Sequence, residues 1–346
     1  MMEKVRYKVS LTTVLISTIN DPNLNRTIEE IRKTADGKVE FIVINDGGSP
    51  LKLSGIKVIN QSKMFGRRIS FNRAAHLATG THLLIIDPHC SMSEHWDTKM
   101  IESCGDKNLV FSVLRDMDEN FIQRHGPYLH VSMNREYTEK WWPKKPLKDC
   151  AVEEESMCFT GCGWMIKKDR FWELGGYDET LGKYGWDGPE WSCKIWMSDD
   201  PGKVILRTDV VCGHIFGTNL KHKLYKCEMI PKPKYLEYMK NKWGTKIDSL
   251  VEYFSPVPNW YEDGVERSIM SQGTEREVKL QRQKERVERD TAGEIIKKVI
   301  EHWEYVYEDD GNGPTEQEIL KEHTNDLKKV SEEVWELKDG QLQKVA

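Results

Sequence analysis

Residues 83–96 read LLIIDPHCSMSEHW, four apolar residues running straight into Asp87, Pro88 and His89. A short apolar run that ends at a proline predicts a strand buried on both faces, because a strand with one wet face would alternate. Side chains two apart on an extended segment point the same way, so Asp87 and His89 converge on one place beyond the strand's end. Pro88, whose φ is fixed, limits how far they can diverge. Two more apolar runs precede this one, TVLISTI (13–19) and EFIVIND (40–46). Between them NLNRTIEEIRKTA (23–35) repeats Leu24, Ile28 and Ile31 at helical spacing, and ISFNRAAHLATG (69–80) predicts a helix closed by Gly80. Strands alternating with helices predict an α/β fold, a mainly parallel sheet with helices on both faces. Ligands gather beyond the carboxyl ends of such strands. STIND (17–21), NDGGSP (45–50) and DPHC (87–90) put their polar residues there.

At 346 residues the chain is long enough for one large domain or two ordinary ones. A hydrophobic fraction of 38% beside 31% charged residues describes a folded, soluble protein. No run approaches the roughly 18 apolar residues of a membrane span, and the short run near the N-terminus reads as a first strand rather than a signal peptide. Eight scattered cysteines without a CxxC pair read as reduced thiols, and with the missing leader they predict a cytoplasmic location, including that of a phage-infected bacterial cell.

The net charge of −5 divides unevenly along the chain. Residues 262–346 carry 14 Lys and Arg against 22 Asp and Glu, whereas the rest carries 37 against 34. The basic part clusters its lysines among aromatics in KWWPKKPLK (140–148) and KHKLYKCEMIPKPKYLEYMKNKWGTK (221–246). Lysines neutralise phosphates and rings offer stacking faces, so these segments suit a polyanion such as DNA, or else form a solvated lysine-rich surface. Residues 1–261 form the expected catalytic domain. Within it, 110–155 reads as loops and an insertion, and 157–181 as a strand plus a short helix ended by Gly175 and Gly176. A helix follows at 189–198, begun by Pro189, and two short strands at 203–217. Residues 262–346 are expected as a charged helical appendage, a means of packing on the domain or on a second copy in a homo-oligomer.

Three groups carry chemistry. A carboxylate with imidazoles suits Mn²⁺ or another divalent transition metal better than Ca²⁺ or Mg²⁺, so Asp87 and His89 need a third ligand, for which His214 in VVCGHIFG is the strand-end candidate. Asp187 and Glu190, spaced i, i+3 at a helix start, read as a pair of catalytic acids or as a capping box. Trp186 and Trp191 flank them and could offer flat faces to a sugar ring.

The order of NDGGS, GRRISFNRAAHLATG, LLIIDPHC, FTGCGWMIKKDRFWELGGYDE, GWDGPEW and GHIFG resembles the GT-A nucleotide-sugar glycosyltransferases, and more narrowly the catalytic domain of polypeptide N-acetylgalactosaminyltransferases. The resemblance spans residues 10–220. It implies a Rossmann-like mixed sheet, a UDP-sugar donor and a divalent metal such as Mn²⁺. Asp87, His89 and His214 match the metal ligands, and Asp187 and Glu190 match the two acids of the acidic segment. Asp46 matches the acid that holds uracil, Thr18 and Asn20 line the nucleotide pocket, and Arg67 and Arg68 lie near the donor phosphates. The chain departs from the pattern at Asp187, Gly188 and Pro189, where the family has Glu, Asn and Leu, and at Gly217, where it has a charged residue. The implied activity is metal-dependent sugar transfer to an acceptor hydroxyl with retention. The acceptor divides between a hydroxymethylated DNA base, as in bacteriophage enzymes, and a cell-surface glycan, lipid-linked or protein hydroxyl. A non-catalytic nucleotide-binding protein is the competing class.

Overall fold

The computed structural model describes residues 11–123, 130–137, 139–141, 147–216 and 230–254, and the backbone of four strands further on. The chain separates into two compact units, Met1–Pro258 and Asn259–Ala346.

The first unit is built on β1 (Thr12–Thr18), α1 (Leu24–Lys33), β2 (Val39–Asp46), β3 (Lys57–Gln61), α2 (Arg67–Leu77) and β4 (His82–Ile86). β5 (Cys90–Met92), α3 (Trp96–Cys104) and β6 (Leu109–Asp116) follow, then three short strands, β7 (Val131–Met133), β8 (Glu139–Trp141) and β9 (Glu153–Glu155). The unit continues through β10 (Trp164–Lys167), α4 (Lys168–Glu173), α5 (Asp187–Met197), β11 (Val204–His214), α6 (Lys232–Trp243) and α7 (Lys246–Tyr253). The main sheet runs β3-β2-β1-β4-β10-β6-β11-β5, with β9 paired to β11. β1, β2, β3 and β4 are mutually parallel, β10 lies antiparallel between β4 and β6, and β11 is parallel to β6.

Side chains alternate across this sheet, so each apolar run feeds two cores. Leu15, Ile42, Leu83, Ile85 and Phe111 face one layer with Phe71, Trp164 and Trp191. Val14, Ile16, Val43, Leu84 and Ile86 face the other with α1 and Trp96. A third cluster joins α5 to Tyr235, Met239, Ile247 and Leu250 of α6 and α7. Register puts Thr18 beside Asn45 and Ile16 beside Ile86, which brings the polar ends of β1, β2 and β4 to one edge.

Four expectations are corrected. The stretch at 110–155 was expected as loops, yet it opens with β6, LVFSVLRD, fully inside the sheet; Ser112 and Arg115 interrupt its apolar pattern, and Ser112 Oγ donates to Gly163 O at 3.1 Å. Where two short strands were expected at 203–217, a single long strand, Val204–His214, is formed, with a register shift between Arg207 and Val211. The helix expected from Pro189 starts at Asp187, and proline fits the first turn because no helical acceptor is due to its nitrogen there. Where charged helices were expected in 262–346, the described residues instead form an antiparallel sheet, β12 (Glu277–Arg289), β13 (Ile295–Glu308), β14 (Lys328–Lys338) and β15 (Gln341–Lys344). The charged residues hid a strand composition: IIKKVIEHWEYVYE is rich in β-branched and aromatic residues.

No helix among the described residues is long and apolar enough to cross a membrane. Phe111, fully buried in β6, tests the strand that the sequence pattern concealed. Phe111→Ala should lower stability by about 3–5 kcal/mol, read as a lower denaturant midpoint at unchanged slope.

Candidate active site

The site is assembled by a reversal of the chain. After β4 ends at Ile86 the chain turns through Asp87, Pro88 and His89, and β5 then runs back antiparallel to β11, with Cys90 opposite His214. Ile215 N donates to His89 O at 3.1 Å and fixes this junction. One carboxylate oxygen of Asp87 and one ring nitrogen each of His89 and His214 consequently lie within 4.8 Å of one another. His214 Nε2 sits 3.2 Å from Asp87 Oδ2, and the two imidazoles meet edge to face, centroids 4.9 Å apart. The donor set fits a divalent transition ion, and the buried His214 Nδ1 has no hydrogen-bond partner.

Asp21 was missed in the sequence. Its Oδ2 lies 2.8 Å from His89 Nδ1. A carboxylate holding Nδ1–H leaves Nε2 with the lone pair and orients the ring, the usual support of a metal-ligating histidine. The signal was present, since Asp21 ends the STIND stretch at the same sheet edge. Thr18 helps to place it, its buried hydroxyl accepting from Asp21 N at 3.3 Å. Asn20 takes a left-handed backbone, φ 52°, at the exposed rim, and its amide lies against Gly48, where an added Cβ would come within 2.7 Å.

Arg67 and Arg68 open α2, where the helix dipole disfavours positive charge. Carboxylates compensate. Arg67 pairs with Asp87 through Nη1, lies 2.8 Å from Asp187 Oδ2 through Nε, and donates to Gly161 O at 2.7 Å. Arg68, fully buried, pairs with Glu190, lies 3.5 Å from Asp187 Oδ1, and donates to Gly185 O at 2.7 Å. Asp46 sets this helix start. It accepts from Gln61 Nε2 at 2.9 Å, Phe65 N at 2.7 Å and Gly66 N at 2.8 Å. Three of its roughly four acceptor positions are thereby used, so its geometry is that of a loop anchor rather than a free base-holding acid.

The two acids of α5 differ. Glu190 is committed to Arg68, to Lys194 Nζ at 2.7 Å and to Asp178 N at 3.0 Å. Burial would raise its pKa, but Arg68 and Lys194 outweigh burial and hold it below the ordinary 4.5. Asp187 keeps Oδ1 without a hydrogen bond, and burial raises its pKa against the pull of Arg67 and Arg68. The capping-box expectation fails, since the residue before the helix is Trp186 and no side chain caps it. Glu139 of β8 was also missed: burial, then the charge of Asp187, pushes its carboxyl up to about 7. Nothing in its local sequence, a polar strand, signals that burial.

The tryptophans are less available than expected. Trp191 is wholly buried and stacks on Phe171 with centroids 4.9 Å apart, so it belongs to the core. Trp186 lies parallel to Tyr235 at 4.4 Å and donates Nε1 to Ile230 O at 3.3 Å, which covers one face.

A mixed sheet of this order, with an Asp-x-His turn at its ligand edge and a histidine on the last strand, is the GT-A architecture. Residues 13–175 match the Glycosyl transferase family 2 model. A provisionally named polypeptide N-acetylgalactosaminyltransferase 13 of Drosophila melanogaster is 27% identical over 233 residues, 59% of this chain and 41% of that protein. Human polypeptide N-acetylgalactosaminyltransferase 10 is 23% identical over 272 residues, 68% of this chain and 44% of its own. The chain therefore spans less than half the length of these relatives. The crystal structure of GalNAc-T7 with UDP, GalNAc and Mn²⁺ superposes with a TM-score of 0.55 at 18% identity, covering 72% of this chain and 59% of that one. The family resemblance read from the motifs is thus matched by both sequence and fold.

Glu190 gives a test with a defined sign. Its folded pKa lies below its unfolded one, so its stabilisation is present above about 4.5 and lost as pH falls through the folded value. Glu190→Gln should cost about 3–5 kcal/mol at neutral pH by removing the buried carboxylate that Arg68 and Lys194 share, and should flatten the acid limb of stability against pH in denaturant titrations.

Proposed function

We propose that the protein is a metal-dependent glycosyltransferase that moves a sugar from a UDP-sugar to an acceptor hydroxyl with retention. The observation that carries this reading is the Asp87, His89 and His214 set at the carboxyl edge of the sheet, with Asp21 behind it. These residues would hold a divalent ion such as Mn²⁺, and when bound it supplies Lewis acidity at the departing diphosphate. Thr18 and Asn20 support a nucleotide pocket at the same edge, and the bonds of Asp46 support α2. Arg67 is placed to pass from its carboxylates to a donor phosphate, a planar fork matching two phosphate oxygens. Retention is supported by the carboxylates themselves. An inverting reaction needs a free general base, whereas Glu190 is fully paired and Asp187 faces two arginines. In the retaining route the departing phosphate accepts the acceptor's proton, and Asp187 orients donor hydroxyls.

UDP release from UDP-glucose or UDP-N-acetylgalactosamine should require Mn²⁺ and fall about 100-fold or more in Asp87→Ala. Asp21→Asn should weaken Mn²⁺ binding about 10–100-fold, measured on the free enzyme by Mn²⁺ paramagnetic resonance. No metal-dependent release from any common UDP-sugar would overturn the reading. An inverted anomer in the product would overturn retention alone.

For the acceptor we favour a hydroxymethylated base in DNA. Lys232, Lys234, Lys240, Lys242 and Lys246 are exposed on α6 and at the start of α7, a surface suited to a phosphate backbone. Residues 142–146 and 221–229 of the two lysine segments lie outside the described residues. The rings of the described part turn inward, Tyr235 being buried and Trp243 packed against the third core, so lysine pairing with phosphates rather than ring stacking supports this reading. The names of the relatives favour a polypeptide hydroxyl instead, and one panel separates the two. DNA affinity should fall steeply with salt, and Lys232→Gln with Lys234→Gln should reduce the salt slope by about 0.9 for each phosphate that is no longer neutralised. Transfer to peptide with no salt-dependent DNA binding would decide for the polypeptide.

A further inference from the structure

Immediately behind the oxygen and nitrogen donors lies a cluster that sugar transfer does not use. Cys90 opens β5, Cys162 sits in the turn before β10, and Cys212 lies two residues before the end of β11. Their sulfurs all lie within 4.8 Å of one another, with Cys90 Sγ and Cys162 Sγ 3.4 Å apart. All three side chains are buried and unbridged. Three sulfurs each about 2.3 Å from a central ion in a trigonal plane would stand about 4 Å apart, within the observed spread. The surrounding turn makes room for them. Gly163 has φ 68°, and a Cβ there would come 2.9 Å from Cys212 Cβ and 3.0 Å from its sulfur. A bare Cα at this position therefore leaves the space that the third sulfur fills.

We propose that Cys90, Cys162 and Cys212 form a second, sulfur-only cation site, which takes a thiophilic d¹⁰ ion such as Zn²⁺ or Cu⁺. Ligand chemistry sorts the two neighbouring sets: carboxylate and imidazole accept Mn²⁺, whereas three thiolates select a soft ion and reject a hard one. The three cysteines belong to the same buried core layer as Val14, Ile16, Val110 and Met165, so an ion bound there would be shielded from water and exchange slowly. It also ties together the segments that carry the donor set. Cys90 follows His89, Cys212 precedes His214 by two residues, and Cys162 follows Gly161, whose carbonyl accepts from Arg67 at 2.7 Å. Occupancy cross-links these three segments. The proposal stands on the thiol geometry and is independent of the transferase reading.

The test uses the full chain, reduced and metal-free, with excess Mn²⁺ present and titrated with Cd²⁺ as probe. Wild type should take up one equivalent with the ultraviolet sulfur-to-cadmium charge transfer of three thiolates. That signal should persist in Asp87→Ala and in Cys193→Ala, whose thiol is buried elsewhere. It should lose about a third of its intensity and at least about tenfold in affinity in Cys162→Ser and in Cys212→Ser, with native circular dichroism confirming the fold. Absence of charge transfer in folded wild type overturns the site, and this outcome needs no variant. An unchanged signal in either serine variant overturns it equally.

Discussion

Arg67 and Arg68 enter the protein at the one place on α2 where a helix disfavours cations, and the site depends on how that charge is balanced. Three carboxylates from two other elements surround them: Asp87 from the end of β4, and Asp187 and Glu190 from the first turn of α5. The dipole of α5 favours acids at its own start, so two helix N-termini of opposite side-chain charge face each other. Each arginine is shared between two carboxylates, so removing one of them leaves buried charge under-compensated, and the network ties the sheet edge to α5. The backbone obeys the same constraint. Arg67 N donates to Lys183 O at 2.8 Å, and a Cβ on Gly66 would come 2.5 Å from Lys183 Cα, so only glycine lets the two segments approach.

That arrangement separates residues with similar chemistry into different roles. Glu190 and Asp187 lie three positions apart on one helix. Glu190 is saturated by Arg68, Lys194 and a backbone N–H, and its carboxylate is a structural charge. Asp187 pairs with Arg67 through Oδ2 and retains Oδ1 without a hydrogen bond, 3.5 Å from Arg68 Nη2. Asp46 and Asp21 divide in the same way at the other end of the site. One closes the loop before α2, and the other holds the ring of His89.

The C-terminal unit shows where composition misleads. Its charge density and its Glu, Lys and Arg content favour helix by propensity, yet IIKKVIEHWEYVYE also concentrates β-branched and aromatic residues, which favour strand. Register also sets Lys284 opposite Glu301 and Lys297 opposite Glu336, pairs that a sheet accommodates and a helical reading would not place together.

The apolar runs of β1, β2 and β4 and the Asp-x-His turn were legible because a strand buried on both faces must be apolar at every position, and because i, i+2 geometry is local. The candidate metal-ligating residues and the two acids were legible as residue types at strand and helix ends. β6 was hidden, because Ser112 and Arg115 break its pattern while distant strands complete its burial. The sequence by itself determined which side chains could reach the sheet edge. Only the tertiary structure decided what each does there. Pairing of β5 with β11 brings His214 to Asp87 across 127 residues, and ion pairs with Arg68 of α2 and Lys194 of α5 use both oxygens of Glu190 while Asp187 Oδ1 keeps no hydrogen bond. A side chain's chemistry is set by its type, but its free lone pairs and its exposed ring faces are set by neighbours that sequence distance does not reveal.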